Sequence, residues 1–389
     1  MKKRTFSFTL LLFLLALPVY AQVSYDFNED TGVLTVSGKG EATAAGTEDY
    51  DAEKVTSVVI ENGITSIGRE AFNKMSNVTS IVIPDSVTVV RYAAFSGLTK
   101  VSNLHIPDSV TQIDMAAFSG MTGVTGELKL PSNLQTIGGS AFNGMTGVTS
   151  FTIPETVKTI GGSAFSGMTG VTGELKIPNG VTTIGEFAFS GMTGITGELK
   201  IPSSVTSIGS RAFSGMTGVT GEIVIPNGIT SIKVATFENM RGVTSVVIPD
   251  SVTTIELYAF AGMSGLTSLV VPDSVTTIGN NAFGGISISQ IEIGEENLLK
   301  YIQANGKFAG NPKIICTSGE CENALRGTQY ESLMSNIDYP LRTVKQSDGS
   351  FAIYKHGKLV GYKGKRIYTI EEAEAVTKST GNTFRLRYK

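Results

Sequence analysis

The chain carries few groups suited to chemistry, and their spacing limits what they can do. Its only histidines are His105 and His356. A hydrolytic triad needs a histidine oriented by a carboxylate. His105 instead stands in Leu104-His105-Ile106-Pro107, where parallel stretches carry Val82, Lys129 or Lys176, and it reads as an outward strand residue. His356 belongs to a His356-Gly357 turn. No H-E-x-x-H, G-x-S-x-G or G-x-x-x-x-G-K string accompanies either one. Cys316 and Cys321 are five apart, longer than the C-x-x-C of redox catalysis. In an oxidising compartment they read as a local disulfide joining Ile314-Ile315-Cys316 to a helix near Glu322 to Met334, with free or redox-active thiols as the alternative. No catalytic, cofactor-binding or metal residue is assigned, and no cofactor is expected. Glycoside cleavage needs paired carboxylates, but Glu174, Glu198 and Glu222 follow the pattern that governs the rest of the sequence. A hydrolase with repeat-borne carboxylates stands as an alternative of another class.

That pattern is a repeat. Phenylalanine recurs at Phe72, Phe95, Phe118, Phe142, Phe165, Phe189, Phe213, Phe237, Phe260 and Phe283, at an interval that varies by no more than one position. Proline keeps the same beat from Pro84 to Pro272, and the longer copies carry one extra glycine at Gly126, Gly173, Gly197 and Gly221. A period of this length signals a solenoid. Each unit holds two short β-branched stretches, such as Val246-Val247-Ile248 and Val252-Thr253-Thr254-Ile255, which favour strands. Proline ends the first because it has no N–H to donate to a ladder. The Ala-Phe pair and the following Met belong inside the coil, and Ser-Gly-Met-Thr-Gly loops turn the chain back. One coil cannot offset its own ordering entropy, so stability must come from neighbours. The expected fold is mainly β: a solenoid of about ten coils over 55–297 with parallel strands.

The string Ile248-Pro249-Asp250-Ser251-Val252-Thr253-Thr254-Ile255, with Ala259-Phe260 after it, resembles the BspA-like leucine-rich repeats of bacterial proteins. The likeness runs from Val55 to Ile293, and the lead-in Thr31-Gly32-Val33-Leu34-Thr35-Val36 is similar too. One departure is the Met that stands where the family often has Cys. The resemblance implies secreted or cell-surface proteins that bind or adhere to partner or host proteins, and it transfers no catalytic residue.

The ends differ from the middle. Lys2, Lys3 and Arg4, an apolar run from Phe6 to Leu17 and Val19-Tyr20-Ala21 have the layout of a secretory signal peptide over 1–21. The run is short of the ~20 residues that span a bilayer, so the mature chain is expected to carry no transmembrane segment. It would be secreted, periplasmic or at the cell surface. Residues 22–54 read as an N-terminal hairpin cap and 298–341 as a C-terminal cap holding the Cys pair. Residues 342–389 read as a β-meander module with one helix beginning at Thr369-Ile370-Glu371-Glu372 and a last strand at Phe384 to Tyr388. The formal charge of −3 argues against nucleic acid as a partner. It conceals opposites, however: 342–389 holds 11 Lys and Arg against 4 Asp and Glu, a net of +7, while 22–341 has 17 against 30, a net of −13. The basic module, with Tyr354, Tyr362, Tyr368 and Tyr388, suits a glycan or an anionic envelope surface, or else simply complements the acidic solenoid.

Two sets of outward residues are candidates for an interface. Val224, Val247 and Val270 form an apolar stripe beside columns of Glu174, Glu198 and Glu222 and of Lys176 and Lys200, with opposite charges expected to lie diagonally. Ordinary β propensity also accounts for these valines. The variable pair after I-G supplies Tyr92, Phe187, Arg211 and Tyr258, residue types that anchor interfaces and that equally serve as rim packing. The expectation is a non-catalytic binding scaffold that recognises a protein through the solenoid surface.

Overall fold

Each repeat unit makes one coil, because its apolar positions alternate toward one side and its glycines reverse the chain. In the computed structural model, which describes residues 23–44, 50–305, 312–318, 321–328, 331–338, 342–345, 351–355 and 358–359, the coils stack into a parallel β-solenoid of about 13 turns. The segment 1–21, His356, Tyr362, Tyr368, the helix from Thr369 and the strand Phe384 to Tyr388 lie outside the described residues.

Three walls of hydrogen bonds join successive coils. The first uses the stretch before proline, as in Ser57–Ile60 beside Ser80–Val82 and Thr220–Val224 beside Gly242–Val247. The second uses the Thr-Ile pairs. Eight strands run without a break from Gly40–Ala42 to Ser207–Ile208, and a second group holds Ser231–Ile232, Thr254–Ile255 and Thr277–Ile278. The third is the phenylalanine segment, where Ala93 N donates to Met115 O, Phe95 N to Ala117 O and Gly97 N to Ser119 O at 2.8 to 2.9 Å. A serine after proline adds a staple, for example Ser109 Oγ to Val87 O at 2.7 Å and Ser251 Oγ to Ile229 O at 2.8 Å.

Inside, the ten phenylalanines form one column with successive ring centroids 5.3 to 5.7 Å apart and planes within 13°. All ten are buried, as are the alanine before most of them and Met121, Met145, Met168, Met192 and Met216.

The first wall is less regular than the sequence leads one to expect. Asn103 to Ile106 forms no strand, and the coils at Lys176 and Lys200 share only two isolated bridges, Gly173 with Ile195 and Lys176 with Lys200. The extra glycine of the longer coils is one cause. Where Gly126 and Gly221 pair with shorter neighbours, the register shifts by a bulge.

The ends continue the ladders. Ser24–Asn28 and Val33–Ser37 form an antiparallel hairpin, and Val33–Ser37 then runs parallel to Ser57–Ile60 as a rung of the first wall. At the other end Gln290–Ile293, Lys313–Cys316 and Ile337–Asp338 extend the sheet begun by Ser268–Val270. The helix Glu295–Asn305 takes the place of the next phenylalanine segment, and Tyr301 continues the ring column 5.5 Å beyond Phe283. Its phenol is buried, which raises its pKa above the ordinary tyrosine value. Cys316 and Cys321 are joined in a disulfide between the strand Lys313–Cys316 and the helix Cys321–Leu325. The helix expected to reach Met334 stops at Leu325, because Gly327 adopts φ +70°, a left-handed helix stop, and a 3₁₀ turn over Glu331–Asn336 follows separately. Arg342–Lys345, Phe351–Lys355 and Lys358–Leu359 make an antiparallel three-stranded sheet.

Glycine serves two different needs in the stack. Gly144 lies at φ +71° with open space where a Cβ would go, so an alanine there meets only backbone strain. Gly170 has ordinary φ, but a Cβ would strike the Thr146 carbonyl of the preceding coil. Gly170→Ala should therefore destabilise the solenoid toward the upper end of the ~1–3 kcal/mol of overpacking, and Gly144→Ala by nearer ~1 kcal/mol. Urea unfolding of the two variants checks this, and equal losses would show that close coil approach is not what selects Gly170.

Candidate functional site

Outward positions carry the features available for recognition, and they fall on two separate strips. On the first wall, the residue two before each proline points to solvent. Val224 is 50%, Val247 44% and Val270 47% exposed. Val224 and Val247 are directly paired across neighbouring strands. Val82, 53% exposed, occupies the same column near the other end, and His105, Lys129, Thr152, Lys176 and Lys200 lie between. His105 is exposed, as its place in the pattern implies. The ion pair formed here lies within one coil, Lys200 Nζ to Glu198 Oε2 at 3.7 Å, and not diagonally between coils, because residues i and i+2 of an extended stretch share a face. Glu222 instead accepts from Ser245 Oγ at 3.0 Å.

The second strip is the turn between the second wall and the phenylalanine. Phe187, Arg211 and Tyr258 each stand two residues before a core phenylalanine at φ +55° to +57°, while Tyr92 stands one earlier, beside Ala93 at φ +51°. This left-handed residue aims its N–H at the next coil: Phe187 N donates to Ser210 O and Arg211 N to Val234 O, both at 2.9 Å. Arg69 lies over the Tyr92 ring at 4.3 Å and Arg211 over the Phe187 ring at 5.4 Å, so three of the four candidates are engaged in cation–π pairs between adjacent coils. Tyr258 is 38% exposed. The valines and these four residues thus occupy different sides of the coil.

A cleft that the sequence reading did not anticipate opens where Asn103 to Ile106 leaves the first wall. It has a volume of about 430 Å³ and is lined by His105, Asp108, Glu127, Lys129, Ser132 and Glu155 among others. The pairing of Asp108 with Ser132, one coil on, was visible only as two residues in the same column after proline. Asp108 Oδ1 accepts the Ser132 N–H at 2.7 Å, and this hydrogen bond holds the carboxyl below its ordinary pKa of 3.8. A glycosidase acid needs the opposite displacement. Among the described residues, no group of three or more His, Cys, Asp or Glu is placed to hold a metal ion. Among the same residues, no helix is long and apolar enough to cross a membrane.

Because the folded state favours ionised Asp108, its contribution to stability is present above the ordinary carboxyl range and is lost as pH falls through the lowered midpoint. Carbon-detected NMR should place the Asp108 titration below 3.8. Ser132→Pro, which removes the donor, should return it toward the ordinary value, and a midpoint that the substitution leaves unmoved would assign the shift to another cause.

A family model described as BspA type leucine rich repeat region matches residues 46–172, 171–287 and 196–314 in six copies. No curated protein matches the chain. Among solved structures, a leucine-rich repeat protein from Bacteroides ovatus is 19% identical, with 75% of this chain and 97% of that one covered and a TM-score of 0.42. A leucine rich cell surface protein from Faecalibacterium prausnitzii is 20% identical, with 74% and 93% covered and a TM-score of 0.41. The pneumococcal vaccine antigen PcpA is 16% identical, with 95% and 98% covered and a TM-score of 0.45.

Proposed function

Because the chain belongs to the BspA-type leucine-rich repeat family, a family of binding scaffolds, we propose that it is an exported, non-catalytic scaffold that binds a partner protein through the outer surface of its solenoid. The observation that carries this reading is the apolar stripe. Val224, Val247 and Val270 keep about half of their surface in water on neighbouring coils, beside side chains that are charged or polar. Each exposed valine holds apolar area whose burial against a partner is favourable, at roughly 25 cal/mol per Å². The Glu and Lys columns alongside supply register and steering rather than affinity. Tyr92, Phe187, Arg211 and Tyr258 form a second, independent candidate surface on the turn strip.

The test is binding to a panel of purified host-surface and matrix proteins by surface plasmon resonance. A variant with Val224→Glu, Val247→Glu and Val270→Glu should lose affinity at least about tenfold, the scale of losing a hot spot, while its thermal unfolding stays near that of the parent chain. A second variant with Tyr92→Ala, Phe187→Ala and Tyr258→Ala assigns the other strip. Full affinity in both variants would remove the solenoid surface as the recognition site. Loss of binding only on truncation after Leu341 would move recognition to the basic module and to glycan or anionic envelope surfaces.

A further inference from the structure

The solenoid is joined less firmly at one place than anywhere else along its second wall. In every other step of that wall, the residue four before the phenylalanine donates its N–H to the preceding coil: Gly185 to Ile160, Gly209 to Ile184, Glu256 to Ile232 and Gly279 to Ile255, at 2.7 to 2.8 Å. The equivalent bond from Lys233 to Ile208 is missing among the described residues. So is the bond from Thr230 N to Thr206 O, although Thr206 N bonds Thr182 and Thr253 N bonds Thr230 at 2.9 Å. The sheet accordingly ends at Ser207–Ile208 and begins again at Ser231–Ile232. The first wall does not compensate at this step, where it holds only a bridge between Gly197 and Val219 and the bond from Thr220 N to Gly197 O, although it is equally sparse at some earlier steps, such as the one bond from Thr172 N to Thr149 O.

The coil carrying Phe237 combines three departures from the repeat, two of which occur singly in other coils without breaking the wall. Lys233 stands at the glycine position of I-G, where a Cβ on Gly209 would lie against Glu186 N of the coil before. Arg91, Asp114 and Glu256 share this departure and keep their bonds, so it loosens the step only together with the other two. Gly228, like Gly180 two coils earlier, lacks the serine hydroxyl that staples other coils, such as Ser204 to Val181 O at 2.6 Å. Asn239, at φ +61°, replaces a left-handed glycine. On its far side the same coil is fastened. The Glu256 carboxylate accepts from Lys233 Nζ at 3.0 Å, Ser231 Oγ at 3.1 Å and Val234 N at 3.2 Å.

We infer that the solenoid is two stiff blocks hinged between the coils of Phe213 and Phe237, with the phenylalanine wall as the hinge line. That wall is intact here, with Arg211 N to Val234 O, Phe213 N to Thr236 O and Gly215 N to Glu238 O at 2.8 to 3.0 Å, and the rings remain 5.7 Å apart. Bending therefore opens the second wall and leaves the ring column in place. The hinge separates Lys176 and Lys200 on one block from Val224, Val247 and Val270 on the other, so the outer face can change its angle between a charged half and an apolar half. The hinge holds whatever that face binds.

Native-state hydrogen exchange tests it in the full chain. After correction for intrinsic rates, the Thr230 and Lys233 amides should exchange at least about tenfold faster than Thr253 and Glu256, while Arg211 and Phe213 remain protected. Changing Lys233→Gly, Gly228→Ser and Asn239→Gly together should slow Thr230 to the rate of Thr253. Spin labels four coils apart provide the second readout. The distance distribution for Thr182→Cys with Thr276→Cys, which spans the hinge, should be broader than that for Thr88→Cys with Thr182→Cys, which does not. Equal protection at Thr230 and Thr253, or equal widths for the two label pairs, would overturn the hinge.

Discussion

Everything in this fold follows from the distance at which one coil must lie on the next. Strands in a ladder sit about 4.8 Å apart, and the phenylalanine rings stack at 5.3 to 5.7 Å. A side chain thick enough to fill the coil and flat enough to repeat at this spacing is aromatic, which is why phenylalanine is kept in all ten coils. The same spacing leaves no room for a Cβ where backbones cross, and this selects glycine at Gly170. High glycine content is thus a product of close stacking and not of looseness. The spacing also makes a helix acceptable at the end, since Tyr301 offers a ring at the required height.

The three walls share this load unequally. The phenylalanine wall is continuous because its backbone adopts the same left-handed residue in every coil, from Glu70 to Asn281. The second wall is nearly so. The first wall absorbs the difference between the shorter and the longer coils, and it bulges or parts where they meet. Its outward face is consequently the one whose residues can change with least effect on the stack, and it is also where the cleft at Asp108 opens. The tolerance has one reason: neither the core nor the continuous walls depend on those side chains.

Much of this was legible in the sequence because periodicity survives without knowledge of contacts. The phenylalanine beat, the proline stops and the buried Ala, Phe and Met positions follow from residue types alone, and so does the pairing of Cys316 with Cys321 once the compartment is taken as oxidising. Three things were not legible. Tyr301 follows Phe283 too soon for the beat, and only the helix Glu295–Asn305 brings it onto the column. The left-handed residues bear no glycine signature, since Ala, Ser, Arg, Phe and Tyr all fill that site. The weak step before Phe237 needs a count of hydrogen bonds, because Lys233 in place of glycine looks, in sequence, like ordinary surface variation.

The left-handed site bears on which candidate residues carry information. A non-glycine residue there costs roughly 1–2 kcal/mol, and β-branched side chains are the worst tolerated. The ten occupants include no Val, Ile or Thr, and six of them are Ala, Ser or Asn. Backbone geometry therefore accounts for small residues at this site, and it gives no reason for Phe187, Arg211 or Tyr258. A cation–π contact of ~0.5–1 kcal/mol between Arg211 and Phe187 offsets part of the strain for that pair. The valines of the first wall stand differently, because a solvent-facing strand position favours valine for its own conformational reasons. Their exposure makes them available to a partner, but their residue type is already explained by the strand. The large side chains of the turn strip are explained by neither the strand nor the core, and they hold more of what is specific to this chain than the repeat that displays them.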